Sequence, residues 1–286
     1  MLALDEAAMA AARARQAQLV KPPGSLGRLE DLAVWLAGVT GSERPALHAR
    51  VVVAAADHGV AAQGVSAYPQ AVTAQMLRTF ASGRGAVSTL AGAVDAGRDR
   101  AARAAGDGIT VLVGGERGIA NTTPATCLAA VLTGRDVAEL VGPGTGLDDA
   151  GIAHKRAVCE RALERHGDAA RGPLHALRRM GGGEIALLCG LALGAGEHGL
   201  GYVCDGLIAT AAAAVAAAIE PGLRPRLIAG HRSPEPAHGA LLDHLGLEPV
   251  LDLGLRLGEG SGATAGPCCA SPWPPTTAWP PSPRPA

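Results

Sequence analysis

The stretch 109-ITVLVGGERGIANTTPATCLAAVLTG-134 changes character twice. Residues 109–115 form a short apolar, β-branched run that ends on two glycines, the pattern of a strand buried on both faces. From Thr123 the spacing predicts a helix, with Pro124 in its first turn and Gly134 at its end. Between them lies a glycine-rich loop that leads straight into a helix N-terminus. Strand, glycine loop and helix in that order are one half of a parallel α/β unit.

The same order recurs on both sides. The run 50-RVVVAAADHG-59 reads as a buried parallel strand ending in a polar loop, and 70-QAVTAQMLRTFASG-83 reads as a helix. Farther along, 148-DDAGIAHKRAVCERALERHG-167 and 183-GEIALLCGLALGAGEHG-199 are helical. Strand-and-loop units follow at 200-LGYVCDG-206, 226-RLIAGHRS-233 and 249-PVLDLGLRLGEGSG-262, with a buried helix at 207–219. Near the start, residues 3–20 predict a helix broken by Pro22 and Pro23, with Ser25 as the cap of a second helix. The expected architecture is an open, mostly parallel sheet flanked by helices. Ligands of such sheets sit beyond the carboxyl ends of the strands. The loops 57-DHG-59, 114-GGERGIANTT-123, 204-CDG-206, 231-HRS-233 and 258-GEGSG-262 then share one rim.

Composition narrows the function classes. The 286 residues are 48% hydrophobic but only 2% aromatic, so the core must be aliphatic and rich in alanine. With 25 basic and 26 acidic residues, the chain has no electrostatic footprint for nucleic acid or an anionic membrane. The longest apolar run, 207-LIATAAAAVAAAI-219, falls short of a membrane span. Six irregularly spaced cysteines make no disulfide framework, and a reducing, cytoplasmic setting is expected.

Several loops carry candidate chemistry. The glycines of 114–125, with Thr122 and Thr123 at a helix entry, suit a phosphate, although a plain glycine turn with a threonine cap reads equally well. The loop lacks both standard nucleotide motifs. Lys155, on a helix behind the loop 142-GPGTG-146, is a possible point charge for that phosphate or a solvated lysine. The entry 181-GGGEIALL-188 suits close packing or a ligand. His58, His231 and His238, with Asp57 and Asp205, raise a metal-dependent hydrolase as a rival, without any recognised ligand spacing; an Asp57–His58 hydrogen bond is the alternative. Glu259, framed by glycines at the end of an apolar strand, is a candidate general base, because partial desolvation makes a carboxylate a better proton acceptor. Glu116 has the same two readings: functional acid or solvated loop acid.

Taken together, 21-KPPGSLGRLE-30, 55-AADHGV-60, 116-ERGIANTTPA-125, 181-GGGEIALLCGLALGA-195, 231-HRSPEPAH-238 and 255-LRLGEGSGA-263 resemble the nicotinate-nucleotide–dimethylbenzimidazole phosphoribosyltransferase family. The resemblance implies a Rossmann-like sheet with a small helical domain, no metal and no cofactor, and a homodimer. It implies transfer of phosphoribose from nicotinate mononucleotide to 5,6-dimethylbenzimidazole, a step in making the lower ligand of cobalamin. Glu259 becomes the proton acceptor. Glu116, Gly118, Ile119, Ala120, Asn121, Thr122 and Lys155 become the phosphate-side group, with Asp205 and Ser233 as further substrate-binding residues. Tyr68 and Met76 are placed to flank a flat base.

Two departures qualify the resemblance. The segment 81–115 is several dozen residues shorter than the family pattern, as though a strand and its crossover were missing. Behind Thr264 an apolar helix is replaced by 264-TAGPCCASPWPPTTAWPPSPRPA-286, a proline-rich segment expected to be disordered and readable as a reading-frame shift. The division expected is a helical segment at 1–45, a catalytic domain at 46–263 and a tail at 264–286. An inactive relic that only binds nucleotide or base is the alternative function.

Overall fold

The computed structural model describes residues 1–19, 21, 24–74 and 90–263. The proline-rich tail, Met76 and most of the helix expected over 70–83 lie outside the described residues. The elements used below are helices α1 (Glu6–Gln18), α2 (Arg28–Thr40), α3 (Leu90–Gly106), α4 (Thr122–Thr133), α5 (Val137–Leu140), α6 (Asp149–Arg165), α7 (Pro173–Met180), α8 (Gly183–Glu197), α9 (Leu207–Ile219) and α10 (Pro236–Leu245). The strands are β1 (Ala49–Ala55), β2 (Val111–Arg117), β3 (Gly201–Cys204), β4 (Leu227–His231) and β5 (Pro249–Leu251).

All five strands are parallel and lie in chain order, β1-β2-β3-β4-β5. A parallel sheet that grows in one direction through right-handed crossovers carries its connecting helices on one face. That face holds the main core, where α3, α4, α8, α9 and α10 bury Leu112, Tyr202, Cys204 and Leu227 of the sheet. The opposite face is thinner. Val111, Val113 and Val203 pack there against Leu36 of α2 and against Ala263, with Trp35, Leu47 and Ile228 at the border.

Small residues let the helices close up where aromatics are scarce. α3 and α8 touch backbone to backbone. A methyl group on Gly190 would collide with the Val94 carbonyl, and one on Gly97 with Leu187 O. Glycine is costly inside a helix, about 1 kcal/mol each relative to alanine. Here it permits a contact that no other residue allows.

Several expectations need correction. α2 begins after Gly27, at φ 52°, with no side-chain cap, so Ser25 is not the N-cap. β2 starts and ends two residues later than the apolar run suggests, which makes Glu116 and Arg117 its last residues rather than loop residues. Among the described residues β1 is an edge strand and not buried on both faces: Val51 is 41% exposed and Val53 39%. No helix among the described residues is long and apolar enough to cross a membrane.

Candidate active site

The site is built where the end of β2 meets the loop 258-GEGSG-262. The two backbones are in contact. A methyl group on Gly115 would lie 2.5 Å from Gly260 N and 2.7 Å from Glu259 C, and one on Gly258 would lie 2.5 Å from the Glu116 carboxyl. Glu259 N donates to Glu116 O at 3.1 Å. Asp205, 1% exposed at the end of β3, accepts from Gly260 N at 3.0 Å and from Ala263 N at 2.8 Å. These bonds fix the loop at both ends. They also hold Glu259 at φ 65°, the left-handed region that favours glycine.

The Glu259 carboxylate faces Arg117. Arg117 Nη1 donates to Glu259 Oε1 at 2.7 Å, with the side chains 20% and 16% exposed. Arg117 Nε is buried and has no hydrogen-bond partner among the described residues. Sequence reasoning misses this arginine because the apolar run ends at Gly115. In an α/β rim the last strand residues are the ones that reach the site.

Glu116 accepts a hydrogen bond from Asn121 Nδ2. Burial pushes its carboxyl up from an ordinary 4.5 to about 8; Glu184 and Asp205 add to the rise, while Asn121 and Arg117 oppose it. Glu116 therefore holds its proton well above the usual carboxylate range. Gly118 lies so close to Ala56 O, Asn121 Nδ2 and Glu184 Oε1 that a methyl group there would stand 3.0–3.2 Å from each. Ile119 N donates to Thr73 Oγ1 at 3.0 Å, tying this loop to the segment expected to flank the base. Ala120, at φ 69°, carries the sharp turn into α4.

Thr122 Oγ1 accepts from Lys155 Nζ at 2.9 Å. Lys155 is fully buried and also donates to Gly142 O at 2.9 Å. Burial moves its ammonium pKa down from 10.5, opposed by Glu235. The lysine thus fastens the glycine loop to the start of α4 instead of standing free in solvent. Glu235 completes the junction by accepting from Gly144 N at 2.8 Å, and its Oε2 is buried without a partner among the described residues.

The remaining residues lie around this centre. Tyr68 is 56% exposed, on a loop bound to Thr145 Oγ1 through Ser66 Oγ and Ala67 N, both at 3.0 Å. Ser233 N donates to His238 Nδ1 at 2.9 Å, so Ser233 shapes the turn after β4. Its Cβ is 3.9 Å from where a methyl group on Gly206 would be. The rings of His231 and His238 lie 6.3 Å apart, and each of the three histidines has a partner of its own. His58 Nε2 bonds Glu184 Oε1 at 2.6 Å, in place of the Asp57 contact considered above. His238, fully buried and held neutral by that burial at a pKa of about 3, pairs with Thr210. His231 stands 3.9 Å from Asp205. Among the described residues no group of three or more His, Cys, Asp or Glu is arranged to hold a metal.

Comparison with known proteins adds independent findings. A family model described as "Phosphoribosyltransferase" matches residues 1–97 and 90–267. The two matches meet at the start of α3, where the sequence is short, and stop near the start of the atypical tail. The nicotinate-nucleotide–dimethylbenzimidazole phosphoribosyltransferase of Pseudomonas putida KT2440 is 47% identical over 309 residues, covering 91% of this chain and 88% of the relative. That alignment is longer than the 286-residue chain, so the relative carries residues with no counterpart here. The enzyme of the same name from Azotobacter vinelandii is 45% identical over 310 residues, with the same coverage. The crystal structure of CobT from Thermus thermophilus superimposes with a TM-score of 0.83 at 40% identity, over 92% of this chain and 94% of that one.

Proposed function

The chain belongs to the nicotinate-nucleotide–dimethylbenzimidazole phosphoribosyltransferase family, and from that premise we propose that it moves phosphoribose from nicotinate mononucleotide to 5,6-dimethylbenzimidazole, with Glu259 as the general base. One benzimidazole nitrogen attacks the ribose C1′ while Glu259 takes the proton from the other. The bond from C1′ to the pyridinium nitrogen breaks, and its electron pair goes to that nitrogen, which loses its positive charge as nicotinate departs. The products are nicotinate and α-ribazole 5′-phosphate.

The observation that carries this reading is the fixed carboxylate. Glu259 is held by its own N–H donating to Glu116 O and by the next residue's N–H, Gly260 N, donating to the Asp205 carboxylate, on a rim beyond the carboxyl ends of the strands, where such folds bind ligands. The phosphate is assigned to the turn Gly118–Thr122 at the N-terminus of α4, which Lys155 braces from behind. Asp205 and Ser233 shape neighbouring loops, and Tyr68 stands at the rim. A homodimer in the cytoplasm completes the reading.

Incubation of purified protein with nicotinate mononucleotide and 5,6-dimethylbenzimidazole, with chromatography of the products, tests it. Equal amounts of nicotinate and the new nucleotide are expected. A folded, soluble preparation that binds the nucleotide and releases no nicotinate would favour the relic alternative.

A further inference from the structure

We propose that Glu235, in the run 231-HRSPEPAH-238, is a positioning residue that keeps the buried Lys155 charged behind the turn Gly118–Thr122. The use made of that charge rests on the phosphoribosyl-transfer reading; the coupling of the two residues does not. Both grip the loop 142-GPGTG-146. Glu235 Oε1 accepts from Gly144 N at 2.8 Å, and a methyl group on Gly142 would collide with Glu235 Oε2. Lys155 Nζ donates to Gly142 O at 2.9 Å and would lie 3.3 Å from a methyl group on Gly144. Its other acceptor is Thr122 Oγ1, at 2.9 Å. Both acceptors are neutral, so neither supplies a counter-charge to an ammonium with no exposed surface.

Glu235 supplies it across the loop. Its Oε2 is buried with no hydrogen-bond partner among the described residues, which leaves a carboxylate charge to act through a poorly screening interior. Burial pulls the Lys155 pKa down, and Glu235 opposes that fall most; the thiols of Cys159 on α6 and Cys127 on α4 oppose it less. His154 and Arg156, beside Lys155 on α6, are exposed and paired elsewhere, with Gln63 O and Glu160. The residue type fits this role. Lys21 and Lys155 are the only lysines among the chain's 25 basic residues. A buried arginine stays charged unaided, whereas a buried lysine keeps its proton only if its surroundings hold it. A neutral amine behind Thr122 would strip the N-terminus of α4 of the charge that favours a phosphate.

Two lysines make the test direct. In a Lys21→Arg background labelled with ¹³C at the lysine ε-carbon, a single NMR signal reports the protonation of Lys155 across pH. Glu235→Gln keeps an acceptor for Gly144 N and removes the charge; Glu235→Asp keeps the charge and shortens the reach. The midpoint is expected to fall by about one pH unit or more in the Gln variant and to stay near the parent protein's in the Asp variant. A Gln variant that titrates with the parent protein overturns the proposal and leaves Glu235 a plain tether for the loop. If the Gln variant does not fold, the Asp variant decides, and a displaced midpoint there overturns it. The second readout is the KM for nicotinate mononucleotide between pH 7 and 10, where the phosphate stays a dianion because its second pKa is about 6. Glu116, raised to about 8, titrates in both proteins and drops out of the comparison. The rise in KM should begin at lower pH in Glu235→Gln, with kcat following the wild type; a fall in kcat at unchanged KM would contradict the role. A shifted NMR midpoint in a protein without turnover would count against the transferase reading and leave the role of Glu235 standing.

Discussion

β1 and β2 are hydrogen-bonded neighbours with seven residue pairs in register, yet they meet different surroundings. β2 is covered on both faces, with Leu112 against the helices and Val111 and Val113 against α2, and its last two residues enter the site. Among the described residues β1 is an edge, with Val51 and Val53 open on the face where β2 is covered. The chain also falls short of its relatives between β1 and β2, at the start of α3, where the two family matches meet. The shortening therefore falls in the connection between β1 and β2, while the candidate rim at β2, β3 and the GEGSG loop keeps its internal bonds. A parallel sheet tolerates this because each βα unit closes its own hydrogen bonds with the strand beside it.

That contrast is open to attack at its strongest point first. Asp205→Ala removes two hydrogen bonds to a buried carboxylate and frees the GEGSG loop. The expected cost is about 3 kcal/mol in denaturant unfolding, with turnover down about a hundredfold. A loss of stability without loss of activity would detach the loop from catalysis.

Next comes Glu116. Its carboxyl is raised from 4.5 to about 8 in the folded protein, so the folded state keeps a proton that the unfolded chain gives up. The stability from that proton is complete below about pH 4.5 and is lost as the pH climbs to about 8. Glu116→Gln should flatten the fall in stability over that window and gain about 2 kcal/mol or more at pH 8. Parallel pH–stability curves for the two proteins would contradict the burial of this acid.

The smallest expected effects concern the two strands directly. Val113→Ala, in the covered face of β2, should cost about 2 kcal/mol. Val51→Ala, on the open face of β1, should cost less than about 0.5 kcal/mol. Equal costs would mean that a second copy or another segment covers β1 in solution, which would restore the likeness between the strands.

Much of this is legible in the sequence where the signal is local. The helices over 148–167, 183–199 and 207–219 announce themselves by length and composition, and the glycine-rich strand ends mark the rim. The end of β2 is misplaced because Gly114 and Gly115 read as a loop. They are glycines because the Tyr202 hydroxyl and the Glu259–Gly260 backbone leave no room for a side chain. Pairs made across the fold are out of reach. His58 meets Glu184 over a separation of 126 residues, and Arg117 meets Glu259 over 142. No spacing rule connects them. Lys155 reads either as a point charge for a phosphate or as a solvated lysine on an amphipathic helix, and only the tertiary fold shows it sealed beneath Thr122 and Gly142.

The most direct measurement is the rate of nicotinate release from nicotinate mononucleotide and 5,6-dimethylbenzimidazole by the wild type and by Glu259→Gln, each confirmed folded by its melting transition. The account predicts turnover by the wild type and a kcat lower by about 10²–10⁴ in the variant. A variant as fast as the wild type would show that the proton leaves by another route and that Glu259 is not the base.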